Sequence, residues 1–182
     1  DRVVNDIGVP KTSFKATDII IITNPVRSSS GITKKKRVLR ITEVRKLWED
    51  DPLKENGFVD LMVYNPLTDQ LEVTKDLRNG NSDILKTIAG NIPEFAGDWN
   101  AIWDNILLRA KCKEEVVKLS NNLDEPLLLE AKFVIKANDL FHIFSGKVPT
   151  VNGRPDTNRI FFEYKEALLR EAKKLVADKD LY

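Results

Sequence analysis

The stretch from Gly8 to Val44 constrains the fold more than any other, because it holds two strand patterns joined by a polar, basic turn. Residues 18–24, DIIIITN, are continuously apolar between polar ends, which is typical of a strand buried on both faces of an α/β sheet. Residues 37–44, RVLRITEV, alternate instead, as a strand with one solvated face near a sheet edge does. The stretch therefore predicts a short helix followed by a β-hairpin that belongs to a sheet.

Helical patterns fill the second half of the sequence. Capping residues and helically spaced apolar residues predict four helices: residues 82–89, from Asp98 to about Ser120, from Glu125 to about Ser145, and from near Asp156 onward. Gly90, Asn121-Asn122 and Gly146 are the predicted stops. The predicted fold class is α+β, with the hairpin and strands in residues 1–80 and a mainly α-helical bundle lobe in residues 81–182.

Composition and charge exclude several classes of protein. The formal charge of +1, from 29 basic and 28 acidic residues, gives no global field for nucleic acid or an anionic membrane. No apolar run reaches the ~18 residues of a membrane span, and no signal peptide is visible. Cys112 is the only cysteine and His142 the only histidine, which excludes an internal disulfide and a zinc site of Cys and His. We expect a soluble, cytoplasmic protein.

The sequence contains none of the common catalytic motifs. It has no Gly-x-x-x-x-Gly-Lys-Ser/Thr loop, no Gly-x-Gly-x-x-Gly and no Gly-x-Ser-x-Gly. We interpret His142 as a partly buried packing residue, Cys112 as an inert helix position, and Glu49-Asp50-Asp51 as a solvated turn. No catalytic, cofactor-binding or metal-binding residue is therefore predicted. An enzyme that uses Asp and Glu at an unrecognised cleft stays as an alternative.

Charged residues are concentrated between Lys34 and Arg45. The run Lys34-Lys35-Lys36-Arg37 is typical of a solvated hairpin tip, or alternatively of a contact for a phosphate or lipid head group. Further along, Glu43 and Arg45 share one face of a strand. Together with Arg40 they form ordinary surface pairs or belong to an intersubunit ion-pair network. These residues are the candidate interface of the chain.

Several short motifs carry a resemblance to one protein family. In the first half they are Gly8-Val-Pro10, Ser13-Phe14-x-x-x-Asp18-Ile-Ile-Ile-Ile, Arg37-Val-x-x-Ile41-x-Glu43-Val44 and Tyr64-Asn-Pro-x-x-Asp69. Together they resemble the carboxy-terminal part of archaeal type II/IV secretion-system ATPases, the GspE-like superfamily that also powers pili and archaella. Leu85-x-x-Ile88-Ala89 and Leu108-Arg109 extend the resemblance, which spans at least residues 1–120.

The resemblance implies a hexameric motor that hydrolyses ATP with Mg at the inner face of the cell membrane. Residues 1–80 would end the ATPase core, and residues 81–182 would be its carboxy-terminal helical lobe. In that family the phosphate loop, the acidic box, the magnesium-binding strand and the histidine box all precede this part. We therefore expect no cofactor in this segment, with ATP and Mg bound by the parent protein, and no ATPase activity by the segment alone.

The same resemblance implies the partners. They would be the upstream ATPase half, neighbouring subunits of a homo-hexamer, and a polytopic membrane platform protein against which the motor moves. Nucleic acid is not expected. The alternative from another class is a stand-alone binding module that uses Lys34 to Arg37 for nucleic acid or anionic lipid, and its signature would be binding that falls steeply with salt.

Overall fold

A computed structural model describes residues 2–27 and 34–179. The chain divides into two compact units, Asp1–Ala89 and Gly90–Tyr182. The first unit is built on a four-stranded antiparallel sheet and the second consists mainly of helices, so the predicted α+β class and its order along the chain are confirmed.

The sheet of the first unit is an antiparallel meander with strand order β1-β2-β3-β4. Its strands are β1 (Ile19–Arg27), β2 (Lys34–Val44), β3 (Phe58–Asn65) and β4 (Gln70–Val73). A π-helical turn, Arg2–Asp6, and the short helix α1 (Lys11–Phe14) precede the sheet, while α2 (Lys75–Arg78) and α3 (Asp83–Gly90) follow it. The predicted turn at Ser28-Ser29-Ser30-Gly31 lies outside the described residues.

The two hairpin strands have the opposite environments to those predicted. β1, expected to be buried on both faces, is exposed at Ile19, Ile21 and Ile22 by 41%, 59% and 44%. β2, expected near the edge, lies between β1 and β3. Position in the sheet accounts for the difference, because β1 forms its ladder with β2 alone in the described part of the chain, whereas β2 is paired on both sides.

A small aromatic core supports one end of this sheet. Trp48 is 2% exposed, and the ring of Phe14 meets Trp48 and Phe58 edge-on at centroid distances of 6.1 and 6.3 Å. Gly57 packs so closely here that a Cβ atom would lie 2.7 Å from Trp48 Cδ1 and 2.5 Å from Pro52 Cβ. A side chain at this position has no room.

The second unit contains three long helices, α4 (Trp99–Leu123), α5 (Ala131–Lys147) and α6 (Thr157–Lys179). A 3-10 turn (Pro126–Leu129) precedes α5, and a short hairpin of β5 (Thr150–Val151) and β6 (Arg154–Pro155) precedes α6. These elements enclose one continuous core, which includes Leu108, Cys112, Val116, Leu128, Phe133, Phe141, Ile160, Tyr164 and Leu168. Two predicted caps are confirmed, since Asp98 accepts from the Ala101 amide at 3.2 Å and Asp156 from the Arg159 amide at 3.1 Å.

Three details of the helical unit differ from the prediction. α4 passes Asn121 and Asn122 and ends only where Asp124 adopts a left-handed φ of 50°. The helix predicted from Glu125 is interrupted, because Glu125 caps the 3-10 turn and α5 begins after an extended Glu130. His142 is exposed rather than partly buried, although its ring meets Phe141 edge-on at 5.2 Å. Among the helices described, none is long and apolar enough to cross a membrane.

Candidate interaction surface on the sheet

The candidate interface residues all lie on or just after β2, where the structure separates them into three groups. Lys34 to Arg37 form its first part and run antiparallel to Arg27, Val26, Pro25 and Asn24 of β1. Lys34, Lys35 and Lys36 are exposed but are strand residues, so the prediction that they belong to the hairpin turn is wrong. Pairing with β1 explains this, because the ladder continues to Arg27↔Lys34.

Asp69, in the turn between β3 and β4, neutralises part of this basic group. Arg37 donates to both carboxylate oxygens, from Nε at 2.8 Å and from Nη2 at 2.7 Å, and the Tyr64 hydroxyl donates to Oδ1 at 2.8 Å. Lys35 Nζ lies 3.7 Å from Oδ2. The hydrogen bonds from Arg37 and Tyr64 hold the pKa of Asp69 well below its usual range. Two of the four basic residues therefore have an acidic partner.

Lys34 and Lys36 occupy the alternate positions of the same strand. Because successive side chains of a strand point to opposite faces, they lie on the face away from Arg37 and Asp69. Both are exposed, and neither has a carboxylate partner among the described residues. Lys34 and Lys36 thus contribute unpaired positive charge at this end of the sheet, next to Arg27 of β1.

Arg40, in the middle of β2, is paired across the sheet. Its Nη1 lies 3.0 Å from Oδ2 of Asp60 on β3, and the Thr42 hydroxyl donates to Oδ1 of the same carboxylate at 2.6 Å. Both partners of Asp60 lie on β2, where they are two residues apart. The charge of Arg40 is thereby balanced within the subunit.

Glu43 joins β2 to the start of α3. Glu43 is 1% exposed, and its carboxylate accepts from the Ser82 hydroxyl at 2.6 Å and from the Asp83 amide at 2.9 Å. The first amides of a helix have no intrahelical acceptor and carry the positive end of its dipole, so a carboxylate here stabilises α3. Ser82 also accepts from the Leu85 amide at 3.3 Å, which confirms the predicted cap.

Arg45, the first residue after β2, adds to the connection between Glu43 and the start of α3. Its Nη1 lies 3.2 Å from Glu43 and also contacts the Asp83 carboxylate, while Nη2 donates to the carbonyl and side-chain oxygens of Asn81 at 2.8 and 2.7 Å. Glu43 and Arg45 therefore have partners within the chain. Their charges are accounted for without a neighbouring copy.

The outer edge of β1 is the part of the sheet that sequence reasoning misjudged. In the described part of the chain its only ladder is with β2, so the backbone groups on its other side have no strand partner. Ile19, Ile21 and Ile22 expose apolar surface along this edge. The features that discourage further pairing lie in the second half of the strand, at the bulge after Ile22, at Pro25, which has no amide hydrogen, and at the charged Arg27.

The polar side chains of this surface are paired mainly with one another. Within residues 2–27 and 34–179, no group of three His, Cys, Asp or Glu side chains converges as a metal site would require. The acidic partners Asp60 and Asp69 and the Ser82 hydroxyl were not predicted to meet β2, although Asp69 and Ser82 stand in motifs visible in the sequence. When the chain is compared with known proteins, no family model, no curated protein and no solved structure matches it.

Proposed function

We propose that this chain is the carboxy-terminal coupling part of a hexameric secretion or pilus-assembly motor ATPase, and that its sheet is completed by another polypeptide of that assembly. The observation that carries the proposal is the open β1 edge with Ile19, Ile21 and Ile22 exposed along it. ATP and Mg are bound by the upstream ATPase half. The assembly works at the inner face of the membrane against a polytopic platform protein.

The composition of the β1 edge supports a covered rather than a free strand. Natural edge strands avoid further pairing with charges, prolines or bulges, because unpaired amide and carbonyl groups otherwise recruit other chains. From Ile19 to Asn24 the edge carries no charge and no proline. A bulge follows Ile22, where the register with β2 shifts, and Pro25 comes later. The stretch without charge or proline is thus about as long as a typical β-strand, so one added strand would pair along it.

The contacts of Glu43 and Arg45 with Ser82 and Asp83 support a role in coupling. A buried carboxylate connects β2 to the first turn of α3, and Arg45 fixes the same carboxylate and Asp83 together. A displacement of β2 therefore displaces α3, which ends at Gly90, where the second unit begins. If an ATPase core extends this sheet, its movement is passed from β2 to α3 through these contacts.

The direct test mixes this segment with the upstream ATPase half. We expect the segment alone to neither bind nor hydrolyse ATP, and to raise the turnover or hexamer formation of the upstream half when added. The pair of changes Ile19→Glu and Ile21→Glu should abolish the stimulation by placing charge on the β1 edge. Leu67→Glu is the matched control, since Leu67 is 93% exposed in a turn away from β1. ATP hydrolysis by the segment alone would overturn the proposal.

A second candidate function rests on Lys34 and Lys36. Their free charges favour a stand-alone module that binds a polyanion, either nucleic acid or anionic lipid. Replacing both lysines with Ser would remove such binding and its dependence on salt. The motor proposal instead expects stimulation of the upstream half to survive this change. The double substitution therefore separates the two functions.

A further inference from the structure

A pocket of about 270 Å³ opens in the helical unit, where α4 and α5 approach each other. Its walls are mostly apolar and come from Val116, Val117, Leu129, Val134, Ala137 and Phe141, with the polar Asn138 beside them. Three of them, Val117, Leu129 and Val134, remain nearly half exposed at its mouth. The pocket is independent of the β1 edge and of the charged residues on β2.

The floor of this pocket is uncharged and fixed. Cys112 and Tyr164 lie there, both buried, and the Tyr164 hydroxyl donates to the Cys112 carbonyl at 3.3 Å. Burial raises the pKa of the Cys112 thiol to about 12, so the sulfur stays neutral at physiological pH. The floor therefore offers contact to hydrocarbon but no partner to a charged group.

The rim of the pocket carries positive charge from one side. Arg109 and Lys113 are exposed, lie one turn apart on α4 and both line the pocket. Arg109 is held in place by Asn105 Oδ1 at 3.0 Å and by the Phe141 ring, whose centroid lies 4.4 Å from its guanidinium carbon. No carboxylate pairs with either cation among the described residues.

The acidic residues of α4 near this rim are engaged elsewhere. Glu114 Oε1 lies 2.7 Å from Lys118 Nζ, and Glu115 Oε1 lies 2.9 Å from Lys165 Nζ. Arg109 and Lys113 are therefore available to bind an anionic ligand. An occupant that suits both the floor and the rim is apolar at one end and negatively charged at the other.

We propose that this pocket binds an alkyl carboxylate, with its hydrocarbon tail against Val116 and Phe141 and its carboxylate between Arg109 and Lys113. A volume of 270 Å³ holds roughly nine groups the size of a water molecule, at about 30 Å³ each. Decanoate, whose tail has about that many carbon groups, is the matching probe. The carboxylate gains charge-assisted hydrogen bonds from a guanidinium and an ammonium.

Calorimetric titration of the chain with decanoate below its micellar concentration tests this site. We expect saturable binding, with affinity falling about fourfold for each methylene removed in octanoate and hexanoate. The combined change Arg109→Gln and Lys113→Gln should weaken decanoate binding at least tenfold, while Lys118→Gln, on the same helix but outside the pocket, leaves it unchanged. Decyltrimethylammonium, which has the same tail and the opposite charge, should bind far more weakly than decanoate.

Methyl NMR locates the binding. Decanoate should shift the signals of Val116, Val117 and Val134, and Val134→Trp, at a half-exposed position, should block the pocket while circular dichroism stays native. Equal binding of the cationic and anionic probes, or shifts spread away from these valines, would overturn the proposal. So would an absence of saturable binding, including the case in which the pocket accepts only a protein helix. None of these outcomes depends on the upstream ATPase half.

Discussion

The helical unit and the sheet unit bury their apolar residues to very different degrees. In the helical unit, side chains from α4, α5, α6 and the 3-10 turn meet in one core, with Leu128 and Leu168 fully buried. In the sheet unit the isoleucines of β1 remain exposed, and the buried set is small and gathers around Val44, Trp48 and Leu61. The comparison indicates that the helical unit is organised around one continuous core, whereas the sheet unit leaves an apolar edge strand exposed.

The largest effect should come from the helical core. Leu168→Ala removes a side chain with 0% exposure and leaves a cavity, so we expect a loss of about 2–5 kcal/mol in the free energy of unfolding. Urea unfolding followed by circular dichroism measures it. A loss below 1 kcal/mol would mean that this core repacks freely, and the contrast between the two units would disappear.

The sheet unit should be most sensitive at Glu43. Glu43→Gln keeps the shape of the side chain but removes the charge that Arg45 and the first amides of α3 share. Hydrogen bonds to charged groups contribute about 1.5–3 kcal/mol, and we expect a destabilisation of that order. Glu72→Gln, at an exposed position of β4, is the matched control. Amide exchange should accelerate in α3 for the first variant and not for the second.

Gly57 tests the small aromatic core of the sheet unit. Gly57→Ala places a Cβ within 2.8 Å of Pro52 and Trp48, which forces both away from their present positions. Overpacking of this kind costs about 1–3 kcal/mol. Gly146→Ala is the control, because a Cβ there meets nothing within 4 Å. The urea midpoint reports the change, and equal midpoints for the two variants would contradict the packing at Gly57.

The helices of the second unit are also tied by an ion pair that depends on pH. Lys136 of α5 and Lys174 of α6 both contact Glu171, and they lower its pKa from 4.5 to about 2. Because the folded pKa lies below the unfolded one, the contribution is present above about pH 4.5 and is lost as the pH falls toward 2. The effect is modest because both lysines lie mostly in solvent.

Glu171→Gln is the variant that checks this pH dependence. The variant should be less stable than the unchanged chain at pH 7, and the two thermal midpoints should converge as the pH falls toward 2. Glu163→Gln, whose carboxylate pairs with Arg159 on its own helix at 3.4 Å, should change the pH profile less. A constant difference between Glu171→Gln and the unchanged chain across this pH range would contradict the assignment.

The caps at the starts of three helices were predictable from the sequence, whereas the contacts between distant residues were not. Asp98, Asp156 and Ser82 were recognised as caps because a cap depends on residues within one turn. The exposure of Ile21 was missed, because a continuous apolar run shows that a strand can be buried but not which strands cover it. Glu43 and Ser82 are 39 residues apart, so no periodicity brings them together. The pocket beside Phe141 likewise depends on how α4 and α5 pack.

The smallest effect on stability, and the sharpest test of the comparison, belongs to Ile21. Its side chain is 59% exposed, so Ile21→Ser should change the free energy of unfolding of the monomer by less than about 0.5 kcal/mol. An exposed apolar edge also promotes self-association, and the same substitution should reduce it. Sedimentation velocity at increasing protein concentration measures this, with Phe162→Ser, a 67% exposed residue of α6, as the control. If the unchanged chain stays monomeric throughout, the β1 edge is not an adhesive surface, and the contrast between the two units does not extend to self-association.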